Sequence, residues 1–106
     1  MGQDPFAIIF PPRVLDHLGY IDLKFHSLIR RQIDEQLRFE PLKETRNRKP
    51  LLRENEIGAE WEIRFGPDNR FRVLYNVDEI AREVVILAIG VKHGNRLFVE
   101  NEEMKL

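Results

Sequence analysis

The feature that most constrains this chain is a succession of strand patterns between Glu60 and Val99. In EWEIRF, Trp61, Ile63 and Phe65 alternate with Glu60, Glu62 and Arg64. In RFRVLYNV, Phe71, Val73, Tyr75 and Val77 alternate with Arg70, Arg72, Leu74 and Asn76. Strand side chains point to opposite faces with a period of two. The two segments therefore share an aromatic and β-branched face, opposite one that carries Glu62, Arg64, Arg70 and Arg72. Gly66-Pro67-Asp68-Asn69 supplies the hairpin loop between them. Val84 to Val91 is apolar at almost every position, as a central strand covered on both sides requires. Lys92-His93-Gly94-Asn95 turns the chain, and Arg96 to Val99 makes a closing strand.

Upstream, Phe6 to Phe10 is a short strand stopped by Pro11-Pro12, which also pre-set a helix start. Val14, Leu15 and Leu18 give a helix of barely two turns, with Gly19 as its end. Ile21, Phe25, Leu28, Ile29, Ile33 and Leu37 fall on one face of a longer helix, Ile21 to about Phe39, closed by Pro41. His17 and His26 fit the flanks of these helices and call for no chemistry. Residues 40–59 form a long connection, basic in its first half and pinned by Leu42, Leu51, Leu52 and Ile57. Glu100 to Glu103 reads as an exposed acidic tail. Met1 to Asp4 is set aside as a cloning remnant. This order predicts one α+β domain: two N-terminal helices on one face of a four- to five-stranded, mainly antiparallel sheet, the other face open.

Charge and composition limit the function. The 106 residues have a formal net charge of −1 and no cysteine, so a disulfide framework and thiolate metal sites are excluded. The cysteine-free composition and the lack of a long apolar run fit a cytoplasmic protein with no membrane partner. The overall charge is not that of a nucleic-acid binder, so any phosphate contact must come from segregated cations. Lys43, Arg46, Arg48, Lys49 and Arg53 are close in sequence, with Glu44 among them.

No metal-ligand spacing joins His17, His26 and His93, no glycine-rich phosphate loop is present, and the only serine, Ser27, lies mid-helix. No cofactor is called for. What remains is metal-free chemistry on a polyanion: a ribose 2′-hydroxyl attacking the adjacent phosphate needs charge stabilisation, a base and an acid. Arg64 and Arg72 offer guanidinium forks, Lys92 and His93 leave the central strand nearby, and His93 is the histidine suited to proton transfer. Glu62 is either a base or an ion-pair partner. Arg46, Arg48, Lys49, Arg70 and Arg96 are candidate phosphate contacts. The same residues also fit a plain solvated ladder of ion pairs.

WEIRF, FRVLYNV and VVILAIGVKHGNRLFV, preceded by ETRNRKPL, resemble the strands of the RelE/ParE superfamily of toxins from toxin–antitoxin systems, in its RelE-like branch. The resemblance covers most of the chain and rests on the succession of elements. It implies a toxin that cleaves translated mRNA in the ribosomal A site without a metal and is silenced by a cognate antitoxin; mRNA, rRNA and the antitoxin are then its partners. By the same resemblance Arg64, Arg72 and Lys92 occupy basic catalytic positions. Phe98 stands where RelE has a tyrosine and is left with base stacking, and Glu62 stands where RelE has a lysine. A ParE-like, non-catalytic inhibitor of DNA gyrase and a degenerate antitoxin-binding module are the alternatives.

Overall fold

The central strand decides the architecture. The computed structural model describes residues 4–106, and its longest strand is the apolar segment Glu83–His93, β5 in chain order. The other strands are β1 (Ala7–Ile9), β2 (Arg48–Pro50), β3 (Trp61–Phe65), β4 (Phe71–Asp78), β6 (Arg96–Val99) and β7 (Glu102–Met104). They form one seven-stranded sheet in the order β2-β3-β4-β5-β6-β7, antiparallel throughout that path. β1 adds a parallel pairing to the start of β5. β5 thus has β4 along one edge and β1 followed by β6 along the other.

The two helices are α1 (Pro12–Leu18) and α2 (His26–Leu37). Pro12 sits in the first turn of α1, where its missing N–H costs nothing. The single long helix expected from Ile21 is divided: Leu23–Phe25 is a 3-10 turn capped by the Asp22 carboxylate, which accepts from the Lys24 N–H at 3.1 Å. Val14 of α1 and Ile29, Ile33 and Leu37 of α2 pack on Ile63, Phe65, Phe71, Val73, Tyr75 and Ile89 in one continuous core. The expected α+β arrangement, helices on one face of a mainly antiparallel sheet, is found.

Three details depart from the pattern read in sequence. The sheet has seven strands rather than four or five, because the basic connection and the acidic tail each contribute one. Glu100 and Asn101 both have positive φ, 53° and 63°, the geometry of the tightest hairpin turns. The tail folds back so that Met104 pairs with Leu97 and Glu102 with Val99. Second, a bulge between Leu74 and Tyr75 puts Leu74 opposite Ala88 but Tyr75 opposite Ile86. One residue of β5 is unpaired there, so its face parity flips, and an apolar run replaces clean alternation.

The third departure concerns the second face, which is not open. Ala59, Leu74, Ala88, Leu97 and Val99 form a small core there, flanked by Leu51, Ile57, Leu87 and Met104. The connection is fastened to the sheet by side-chain amides. Asn55 exchanges two hydrogen bonds with Ala59, and Asn76 accepts from the Glu60 N–H while donating to the Gly58 carbonyl. Leu51 and Ile57 anchor as expected, whereas Leu52 is 92% exposed. His17 is also not a surface residue: it is 4% exposed, and its Nδ1 accepts from the Ile89 N–H at 3.2 Å. It satisfies a donor of β5 in the gap between β1 and β6. Of the Met1 to Asp4 segment only Asp4 is described, and its carbonyl accepts from the Arg82 guanidinium. Among the described residues no helix is long and apolar enough to cross a membrane.

Candidate functional site

The pleat of β3, β4 and β5 collects charge on the face away from the helices. Arg64 lies directly across from Arg72, which in turn faces Gly90. Two guanidiniums side by side repel. Glu62, one pleat back on β3, resolves the conflict: its Oε1 accepts from Arg64 Nη2 at 2.5 Å and from Arg72 Nη1 at 3.3 Å. Arg72 Nε also donates to the Asn69 carbonyl at 3.3 Å. Glu62 is 3% exposed and Arg72 8%, while Arg64 is one-third exposed, so this is no solvated ladder but a buried Glu62–Arg72 pair with a partly exposed Arg64 on the same carboxylate. Burial lowers the Arg72 pKa from its ordinary value, opposed by the Glu62 charge and reinforced by Arg64. The carboxylate is what keeps the Arg64–Arg72 pair charged in place, since an unpaired buried ion is costly.

Lys49 of β2 stands opposite Glu62, but its ammonium is drawn outward to Glu44, 3.5 Å away. Lys92 is two residues beyond Gly90 on β5 and shares the face of Arg72. Gly90 is required by close approach: a Cβ there would lie 2.7 Å from the Phe98 carbonyl oxygen. Among the described residues no group of three His, Asp or Glu side chains is placed to hold a metal ion.

The expected site residues therefore divide. Glu62, Arg64, Arg72 and Lys92 come together. His93 does not join them. It is the next residue after Lys92, so the pleat turns it to the helix-side face, where its ring meets Phe98 edge-on at 5.6 Å. Arg70 leaves strand geometry (φ −62°, ψ −38°) and its guanidinium lies 5.9 Å from the Phe25 ring centroid. Arg48 turns inward and donates to the carbonyls of Glu40 at 2.6 Å and Lys43 at 3.0 Å. It holds the basic connection together and has its charged head spent on the main chain. Arg46 is exposed at the rim of that connection. Arg96 faces His93 across the β5–β6 turn and lines a groove with Arg72 and Lys92.

No family model matches the sequence, and a comparison with curated proteins finds no match. The fold does have a solved counterpart. The chain is similar to one in the crystal structure of the toxin–antitoxin complex RelBE2 from Mycobacterium tuberculosis, with a TM-score of 0.62 and 24% sequence identity. The likeness spans 83% of this chain and 99% of the other. This chain shares that chain's fold.

Proposed function

We propose that this chain is the toxin of a toxin–antitoxin pair, a metal-independent endoribonuclease acting on translated mRNA at the ribosome. The observation that carries the reading is the Glu62–Arg64–Arg72 triad with Lys92 on the same face of a RelE-like fold. Both hydrogen bonds to the carboxylate fall on Oε1 and Glu62 is buried, so its role is to hold the two arginines in place, and the proton of the ribose 2′-hydroxyl passes to a solvent water. The 2′-oxygen then bonds to phosphorus and the bond to the 5′-oxygen breaks, giving a cyclic phosphate. Arg72 and Arg64 neutralise the phosphorane as its charge develops, and the Lys92 ammonium supplies the proton to the leaving oxygen. His93 has no part in this scheme, because the pleat places it on the other face. An antitoxin that covers this face would silence the toxin.

A second reading has its own support: with Glu62 paired to both arginines, the triad is self-satisfied and the chain is an antitoxin-binding module without activity. Induced expression with primer-extension mapping of a reporter mRNA, wild type beside Arg72→Ala, separates the two. Cuts within translated codons that vanish in Arg72→Ala are the expected result. Intact mRNA with normal growth is the outcome of the binding module, and intact mRNA with growth arrest is that of gyrase inhibition.

A further inference from the structure

At the far end of β4 from Arg72 lies a groove of about 530 Å3 between the end of α2, the start of the long connection and the β4–β5 turn. Its apolar lining is Phe6, Phe39, Pro41 and Leu42, and Phe39 is 49% exposed. The walls are held by specific contacts. Tyr75 donates its hydroxyl to the Pro41 carbonyl at 2.6 Å, and Arg48 bridges the carbonyls of Glu40 and Lys43. From the β4–β5 turn the Arg82 guanidinium lies 4.2 Å over the Phe6 ring. The hollow is therefore built into the fold rather than left by a loose loop.

The same rim carries a projection. Glu79 and Arg82 line the groove, but Ile80 between them is 99% exposed, the most exposed large apolar side chain among the described residues. The turn that presents it is fixed: the Asp78 carboxylate accepts from the Ala81 N–H at 3.0 Å, and Arg82 takes a positive φ of 53°. A lone apolar side chain on a surface is ordinary. This one stands beside an apolar hollow that it does not enter on its own chain, with exposed Phe39 and Leu42 at the hollow's mouth. A two-fold axis turns that geometry into a contact. An isologous interface places the same patch on both copies and pairs each projection with the other copy's hollow. Charge agrees. The groove has both signs, Asp4, Glu40 and Glu79 against Lys43 and Arg82, so a second copy meets opposite charges, where a rim of one sign would repel itself.

We infer that this face is the contact of a homodimer, in which Ile80 of each copy inserts between Phe39 and Leu42 of the other. The inference goes beyond the reading of the charged face and does not depend on it. Asp78, where the turn begins, is about 20 Å along β4 from Arg72, so the dimer leaves both charged faces open.

The test is sedimentation velocity of the full chain over a concentration series into the high micromolar range. Wild type should pass from monomer to dimer. Ile80→Asp alters a side chain that is fully exposed in the monomer, so its melting temperature at low concentration should match wild type. Its dimer dissociation constant should rise about a hundredfold or more, since two isoleucines leave the interface. Ile80→Leu keeps the apolar volume and should hold the dimer within about tenfold of wild type. The chain has no cysteine, so the contact can also be read directly. A mixture of Ile80→Cys and Leu42→Cys chains should give a mixed disulfide on mild oxidation, which requires their Cα atoms to come within about 7 Å. A wild type that stays monomeric at every concentration overturns the second copy as the occupant of the groove. A dimer that survives Ile80→Asp, or that forms no mixed disulfide, overturns this face as the contact.

Discussion

The two faces of the sheet bury their side chains for opposite reasons. The helix-side face is apolar and continuous, with Ile29, Ile33, Leu37, Ile63, Phe71, Val73 and Tyr75 at its centre. Its stability comes from area removed from water and from dense packing. The other face has only a five-residue apolar cluster, and beside it Glu62 and Arg72 are buried as ions. A buried ion pair adds little net stability compared with apolar residues of the same volume. The chain carries two buried charged groups where a larger core would have been more stable. On the reading proposed above, the charged face is the one that carries chemistry and the helix-side face is the scaffold that holds it.

Substitutions on the two faces sharpen the contrast. Ile33→Ala on the scaffold face should cost roughly 2–5 kcal/mol in urea unfolding, the range for large-to-small core changes. Glu62→Gln removes the charge that holds two arginines together and should cost about 2–3 kcal/mol. If that variant unfolds like wild type, the triad is not the buried ion cluster described. Gly90→Ala, beneath the closest approach of β6, should cost about 1–3 kcal/mol through overpacking against the Phe98 carbonyl. The smallest effect belongs to the α1–β5 junction. Burial holds the His17 pKa below its ordinary 6.5, so the folded state binds the proton later than the unfolded chain does. Stability from this group is complete above pH 6.5 and is lost as pH falls through the depressed value. Thermal unfolding between pH 7.5 and 5 should show this loss, and His17→Gln, which removes the titration, should shrink it.

Much of the fold could be read from the residues, because the hairpin of Trp61 to Val77 and the apolar β5 announce themselves by period and composition. What escaped has local physical causes. The strand at Glu102–Met104 depends on two positive φ values at Glu100 and Asn101, and a glutamate in that conformation is a weak turn signal. The bulge at Leu74/Tyr75 breaks the parity on which face assignments rest. For the site, Glu62, Arg64 and Arg72 are legible from spacing alone, but the burial of Glu62 and Arg72 is not, because alternation assigns a face and not what covers it. His93 was grouped with Lys92 by nearness in sequence, although adjacent strand residues cannot share a face. Arg48 looked like a phosphate contact because its carbonyl partners, Glu40 and Lys43, are main-chain groups that no pattern reveals.

The most direct test of the charged face is single-turnover cleavage of ribosome-bound mRNA by Arg72→Ala and His93→Ala, side by side with wild type. Arg72→Ala should lower the rate by about 10²–10³, the effect of removing one preorganised donor to a developing oxyanion. His93→Ala should remain close to wild type, since its ring lies across the sheet against Phe98. Full activity in Arg72→Ala, or a loss in His93→Ala as large as that expected of Arg72→Ala, would contradict the assignment of chemistry to the Glu62–Arg64–Arg72 face.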